Sequence, residues 1–235
     1  MIRLLFLLAA LSCGAGAGAA QGADRRYAIA DFDRVVVEGP YAVTLTVGPP
    51  SSATARGSAQ ALEGVIVDVQ GTILRIRRNR NAWGGTPGRA PEPATIGLTT
   101  RNLRSARVAG TGSLAIGGAR GLRVDFTVEG SGQLRATGLQ ADTLALGMRG
   151  SGSLQVEGAA KALTADIQGS GSLDGTGLTT ETATIFAATS GNIGLSARRS
   201  AKITANGLGQ VAVGGTPACT ITGPGAAEVR CGRQR

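Results

Sequence analysis

Thr164-Ala-Asp-Ile-Gln-Gly-Ser-Gly-Ser-Leu173 decides the fold of this chain. Ala165, Ile167 and Leu173 are apolar, polar or small residues separate them, and a Gly-x-Gly unit stands in the middle. Period-two alternation interrupted by paired glycines reads as a half-buried strand, a corner and a second strand. The unit recurs. It is written Gly110-Thr-Gly-Ser-Leu114, Gly130-Ser-Gly-Gln-Leu134, Gly150-Ser-Gly-Ser-Leu154 and Gly169-Ser-Gly-Ser-Leu173. Degenerate copies follow as Thr189-Ser-Gly-Asn-Ile193, Gly207-Leu-Gly-Gln-Val211 and Gly223-Pro-Gly-Ala-Ala227. The starts are 20, 20, 19, 20, 18 and 16 residues apart. A fixed period of this length marks stacked coils, none of which buries its apolar face alone.

Aligned on their first glycines, the units predict four buried columns. Leu114, Leu134, Leu154, Leu173, Ile193, Val211 and Ala227 form one. Two residues further on stand Ile116, Ala136, Val156, Gly175, Leu195, Val213 and Val229. Two before the units stand Val108, Val128, Met148, Ile167, Ala187, Ala205 and Ile221, and four before stand Ala106, Phe126, Leu146, Ala165, Ile185, Ile203 and Cys219. Strands recurring in one phase pair in parallel about 4.8 Å apart, and the hand of parallel crossovers is right. The expected fold is all-β, a right-handed parallel β-helix or solenoid with repeats over 106–231. The middle glycines, Gly112 to Gly225, are expected at corners that need a positive φ or a close backbone approach.

Outward from the repeats the chain is less regular but still β. Val35-Val-Val37, Tyr41 to Val47, Val65 to Val69 and Ile73 to Ile76 alternate, punctuated by Gly39-Pro40, Gly48-Pro-Pro50 and Gln70-Gly71. Residues 77–93 lack periodicity, carry three prolines and read as a surface loop. At the N-terminus, Arg3, the apolar run Leu4 to Leu11 and the small residues Ala15 to Ala20 have the layout of a secretory signal peptide over 1–20, with residues 21–235 as one mature domain. Cleavage near Ala19 or Ala20 and lipidation at Cys13 both remain open. Cys219 and Cys231 are the two cysteines left after signal removal, and in an oxidising compartment an even pair reads as a disulfide. Beyond residue 215 only 20 residues remain, so no translocating barrel is expected within the chain.

The order of these segments is similar to a known family. Phe32…Val35-Val-Val-Glu-Gly39…Tyr41-Ala-Val-Thr-Leu45, Leu74-Arg-Ile76 before a loop, Ile96-Gly-Leu98…Leu103…Val108-Ala-Gly-Thr-Gly-Ser113 and the Gly-Ser-Gly repeats together resemble the putative auto-transporter adhesin, head GIN domain family over residues 31–215. The resemblance implies an exported bacterial β-solenoid, periplasmic or on the surface of a Gram-negative cell, adhesin-like, with no catalytic residues to carry over.

Glycine content suggests a phosphate loop, but no Gly-x-Gly unit has the third glycine or the Gly-Lys-Ser/Thr that such loops require. Calcium-binding solenoid repeats need an Asp after the glycines; Ser113, Gln133, Ser153 and Ser172 stand there instead. A β-helix enzyme acting on acidic polysaccharide is the alternative from another class, and it needs carboxylates stacked on neighbouring coils. Asp125 and Asp166 are out of phase, Asp142 and Glu181 are two coils apart, and the chain has no histidine. No catalytic, metal or cofactor site is therefore expected.

Charge is more informative. The formal net charge is +9, and eight arginines (75, 77, 78, 80, 89, 101, 104 and 107) stand between Arg75 and Arg107 against Glu92 alone. Such a run suits lipopolysaccharide, an acidic envelope glycan or a membrane surface, and the competing reading is a solubilising face. Export and scarce aromatics argue against nucleic acid. Arg77, Arg78, Arg80, Trp83 and Arg89 are the expected binding residues: guanidinium forks meet phosphate or carboxylate, and the only tryptophan can seat a sugar or acyl surface. The sequence does not fix the oligomeric state.

Overall fold

A computed structural model describes residues 23–82 and 93–232. In chain order its elements are β1 (Ala23–Tyr27), β2 (Arg34–Glu38), β3 (Ala42–Val47), β4 (Ser52–Gly57), the helix α1 (Ala59–Glu63), β5 (Val65–Gln70), β6 (Ile73–Arg78), β7 (Thr95–Thr100), β8 (Ser105–Gly110) and β9 (Ser113–Gly117). Longer strands follow: β10 (Arg120–Gly130), β11 (Gln133–Gly150), β12 (Ser153–Gly169), β13 (Ser172–Asp174), β14 (Leu178–Thr189), β15 (Ile193–Ala205), β16 (Val211–Gly215), β17 (Ala218–Thr222) and β18 (Val229–Cys231). The predicted segment 77–93 begins in strand, since β6 takes in Arg77 and Arg78. The predicted signal peptide, residues 1–20, and Cys13 within it lie outside the described residues.

The strands stack as a β-solenoid of about six turns. Each regular coil contributes one strand to a first wall and, after a corner, another to a second wall. A short third wall then returns the chain, as in Gly121↔Ala141↔Ala160↔Thr180. The predicted ladders are in register: Leu114, Leu134, Leu154 and Leu173 are consecutive Cα partners, and so are Val108, Val128, Met148 and Ile167. All are buried.

Corner geometry divides between the two glycines. The first carries the positive φ: 108, 98, 123 and 108° at Gly110, Gly130, Gly150 and Gly169. The middle one is needed for close approach. A Cβ on Gly132 would stand 2.8 Å from the Gly112 carbonyl oxygen and 2.7 Å from Val108 Cγ1. Where the repeat writes Thr189 for the first glycine, the buried hydroxyl donates to the Gly171 carbonyl (3.1 Å) and accepts from the Gly191 amide (3.0 Å), so the altered corner leaves no polar group unpaired.

Two features differ from the sequence-based alignment. The seventh unit is two residues out of phase: Val211 pairs with Val229 rather than Ala227, Ile203 with Ile221, and Ala201 with Cys219. Ala227 is exposed, within a short 3₁₀ turn (Ala226–Glu228) that takes up the slack. Gly223-Pro-Gly225 imitates the repeat, but it is Gly225, not Gly223, whose Cβ would meet the Gly207 carbonyl. The first coil, β2–β3, is also not the end of the stack. β2 lies between β6 and β8, and β3 between β7 and β9. The chain leaves the first coil, builds a layer below it, and returns to continue above.

That lower layer closes the core. β5 runs antiparallel to β6, β4 runs antiparallel to β7, and β1 runs antiparallel to β4. Ser58 caps α1 by accepting from the Ala61 amide (3.1 Å), and Ala61 and Leu62 are buried against the end of the core. The Tyr41 hydroxyl donates to the Gly64 carbonyl (2.9 Å), tying the first coil to this cap. At the far end Cys219 and Cys231 form the expected disulfide, with Cα atoms 6.4 Å apart. The two stand beside the inward columns of Ala201 and Val213, so the bridge spans the mouth of the last coil.

Candidate anion-binding surface

Alternation in β6 buries Leu74 and Ile76 and turns Arg75 and Arg77 outward, while Arg78 is exposed at the strand end and Arg80 in the turn that follows. Trp83 and Arg89 lie outside the described residues. The outward arginines are less free than sequence spacing implies. Arg75 Nη1 is 3.7 Å from Glu38, Arg77 Nε 3.4 Å from Asp68, and Arg104 Nε 3.3 Å from Asp33; Arg107 is paired with Glu129. Glu38, Asp68 and Glu129 lie on strands that adjoin those of their arginines, and Asp33 stands just before β2. Within the 75–107 run, the described residues Arg78, Arg80 and Arg101 have no carboxylate within ion-pair range. Burial raises the Tyr41 hydroxyl above its ordinary pKa of 10.0, and the opposing pull of Arg78 places that cation within electrostatic range of the cap.

A second cationic cluster comes from three successive coils. Arg34 in β2, Arg104 before β8 and Arg123 in β10 line one groove of about 450 Å³ with Ser105 and Asp125. Arg34, Ser105 and Asp125 belong to one outward row. Asp33 holds Arg104 and, at 3.8 Å, Arg34; Asp125 holds Arg123 at 3.3 Å. Sequence reading includes Arg104 but misses Arg34 and Arg123, because they fall outside the 75–107 run.

The third wall carries an alternating charge row. Lys161 stands between Asp142 and Glu181 and binds Asp142 at 2.7 Å, and Arg199 binds Glu181 at 2.9 Å. The Asp142 carboxylate raises the pKa of Lys161 through their hydrogen bond. The two acids of this row are thus held by cations, in a groove of about 460 Å³ whose floor is Ala141, Ala159, Ala160 and Thr180. Asp125 and Asp166 fall on adjacent rows, with Ala145 and Gly147 between them. Among the described residues no group of three or more His, Cys, Asp or Glu side chains could hold a metal. No helix among them is long and apolar enough to cross a membrane.

The fold defines the class of the chain as a β-solenoid. The sequence profile described as "Putative auto-transporter adhesin, head GIN domain" matches residues 31–217, and the chain belongs to that family. Solved structures share the fold. A putative adhesin from Bacteroides fragilis superposes with a TM-score of 0.80 at 17% identity, covering 91% of this chain and 97% of the other. A protein described as a putative lipid binding protein from Parabacteroides distasonis gives 0.67 at 16% identity over 91% and 97%. A putative adhesin from Parabacteroides merdae gives 0.66 at 14% identity over 92% and 97%. No curated protein matches.

Proposed function

We propose that this chain is an exported, non-catalytic binding module of the bacterial cell envelope, holding anionic material through its cationic N-terminal end. The observation that carries the reading is charge placement: Arg78, Arg80 and Arg101 lack carboxylate partners among the described residues, in a chain of formal net charge +9. Guanidinium forks suit phosphate and carboxylate groups, and Trp83 in the same segment offers a platform for a sugar ring or acyl surface. Family membership supports an adhesive role at the cell surface or in the periplasm.

The test uses the mature protein with lipopolysaccharide, an acidic polysaccharide and anionic vesicles. Retention should be strong at low salt and fade past physiological ionic strength, where exposed charges are screened over ~8 Å or less. Replacing Arg77, Arg78 and Arg80 together by Gln should weaken it; replacing Arg198 and Arg199 should not. Equal losses from both sets, no retention at low salt, or turnover of the polysaccharide would each reject the reading.

A further inference from the structure

Three large apolar side chains are strongly exposed among the described residues: Leu122 at 80%, Leu208 at 87% and Phe186 at 39%. Leu208 stands between two glycines, and Phe186 lies on the flat first wall between Asp166 and Thr204. Leu122 differs from both because it sits among arginines. Arg123 follows it and lines the groove with Arg34 and Arg104. Arg120 precedes it by two residues and is exposed. Asp33 and Asp125 in the groove are occupied by Arg104, Arg34 and Arg123, and Asp142, beside Leu122 on the next coil, is held by Lys161.

The position is unusual within the repeat as well. Gly121↔Ala141 and Arg123↔Thr143 flank it, so Leu122 heads the row that continues as Asp142, Lys161 and Glu181. The next three coils present a charge at this corner. The coil beside the arginine groove presents a naked aliphatic there instead.

We propose that this corner docks on an anionic lipid bilayer, with Leu122 entering the boundary between headgroups and acyl chains while Arg34, Arg104, Arg120 and Arg123 meet lipid phosphates. The inference rests on the reading of the chain as a binder of anionic envelope material, and it names the partner and a contact separate from Arg77, Arg78 and Arg80. Hydrated acidic polysaccharide offers nothing for an isolated leucine, whereas an interface takes up both parts of the motif. One aliphatic plus a basic cluster gives reversible, salt-sensitive attachment rather than permanent anchoring.

The experiment is sedimentation of the mature protein with phosphatidylcholine vesicles containing phosphatidylglycerol, with phosphatidylcholine alone, and with an acidic polysaccharide. Leu122→Ser should lower partitioning onto the anionic vesicles about tenfold, as expected for withdrawing one leucine from an apolar phase. Arg104→Gln with Arg123→Gln should lower it by a similar factor. Neither change should alter retention on polysaccharide. Leu122→Cys carrying an environment-sensitive fluorophore should shift to the blue on anionic vesicles; its exposed position leaves the fold intact, which circular dichroism checks. Anionic-vesicle binding that ignores Leu122, or a fluorophore that stays in water while the protein is bound, overturns this contact and leaves the broader reading standing. Polysaccharide retention without vesicle binding does the same. Failure to bind any of the anionic probes overturns both.

Discussion

Leu154 is 1% exposed and stacks between Leu134 and Leu173, whereas Ser153 on the same strand faces outward. Leu154→Asp removes a buried aliphatic side chain, about 1.5–3 kcal/mol of burial, and puts a carboxyl where no polar partner waits. An ionised group there is too costly, so the folded state holds it protonated. Free carboxyls ionise near ~3.9, and each pH unit above that adds about 1.4 kcal/mol to the cost of keeping the proton, about 4 kcal/mol by pH 7. The total is about 6 kcal/mol at pH 7, comparable to the whole stability of many domains. The sign follows from proton counting. The folded variant binds more protons than the unfolded one above ~3.9, so its stability relative to wild type falls as pH rises and recovers as pH falls toward 4. Leu154→Asn carries a similar volume without the titration, and its deficit should be flat with pH. Denaturant midpoints from pH 4 to 7 for wild type, Leu154→Asp, Leu154→Asn and Ser153→Asp test this directly. If the Asp variant is insoluble at pH 7, the slope between pH 4 and 5.5 carries the comparison. Equal midpoints for Leu154→Asp and Ser153→Asp, or parallel pH profiles for the Asp and Asn variants, would refute the inward ladder.

The corner glycines give a contrasting pair. Gly132→Ala should cost about 1–3 kcal/mol by forcing two coils apart, whereas Gly117→Ala, which meets nothing within 4 Å, should be neutral or stabilise by up to about 1 kcal/mol; thermal melts of the two variants separate these outcomes. The Cys219–Cys231 bridge closes a short loop, so oxidised mature protein should show no titratable thiol after unfolding without reductant. Reduction should cost about 2–3 kcal/mol, with faster hydrogen exchange confined to β17 and β18; loss of protection throughout the solenoid would contradict a purely terminal role.

What could be read from the sequence follows from how local each signal is. Gly150-Ser-Gly-Ser-Leu154 and its copies carry their own phase, so the buried columns from Ala106 to Val213 are legible without knowing any partner. The placement of β2–β3 inside the stack is not, because the pairing of Arg34 with both Ile73 and Ser105 depends on which of several alternating segments meet. Gly223-Pro-Gly225 misleads because it keeps the spelling of the repeat while the preceding strand has already fixed the register through Ile203↔Ile221. The arginine run is legible as composition, but its charge is not. In a solenoid an electrostatic neighbour stands one coil away, so Arg107 finds Glu129 and Arg135 finds Glu157, each 22 residues on. Leu122 has no sequence signature beyond one aliphatic residue in an arginine-rich stretch. Only the register shows that the matching positions on the next three coils are charged.

The inserted first coil also governs where this architecture can change length. Beyond β9 each coil needs only the one before it, so a repeat can be gained or lost between Gly118 and Ala205 by restacking a single interface on either side. Residues 23–117 allow no such editing. β2 needs β6 on one edge and β8 on the other, and β3 needs β7 and β9. Removing any of these strands strips a wall from the middle of the foundation rather than from its end. Relatives should therefore vary in coil number toward the C-terminus and keep the N-terminal block whole, so that reach evolves independently of the base that supports it.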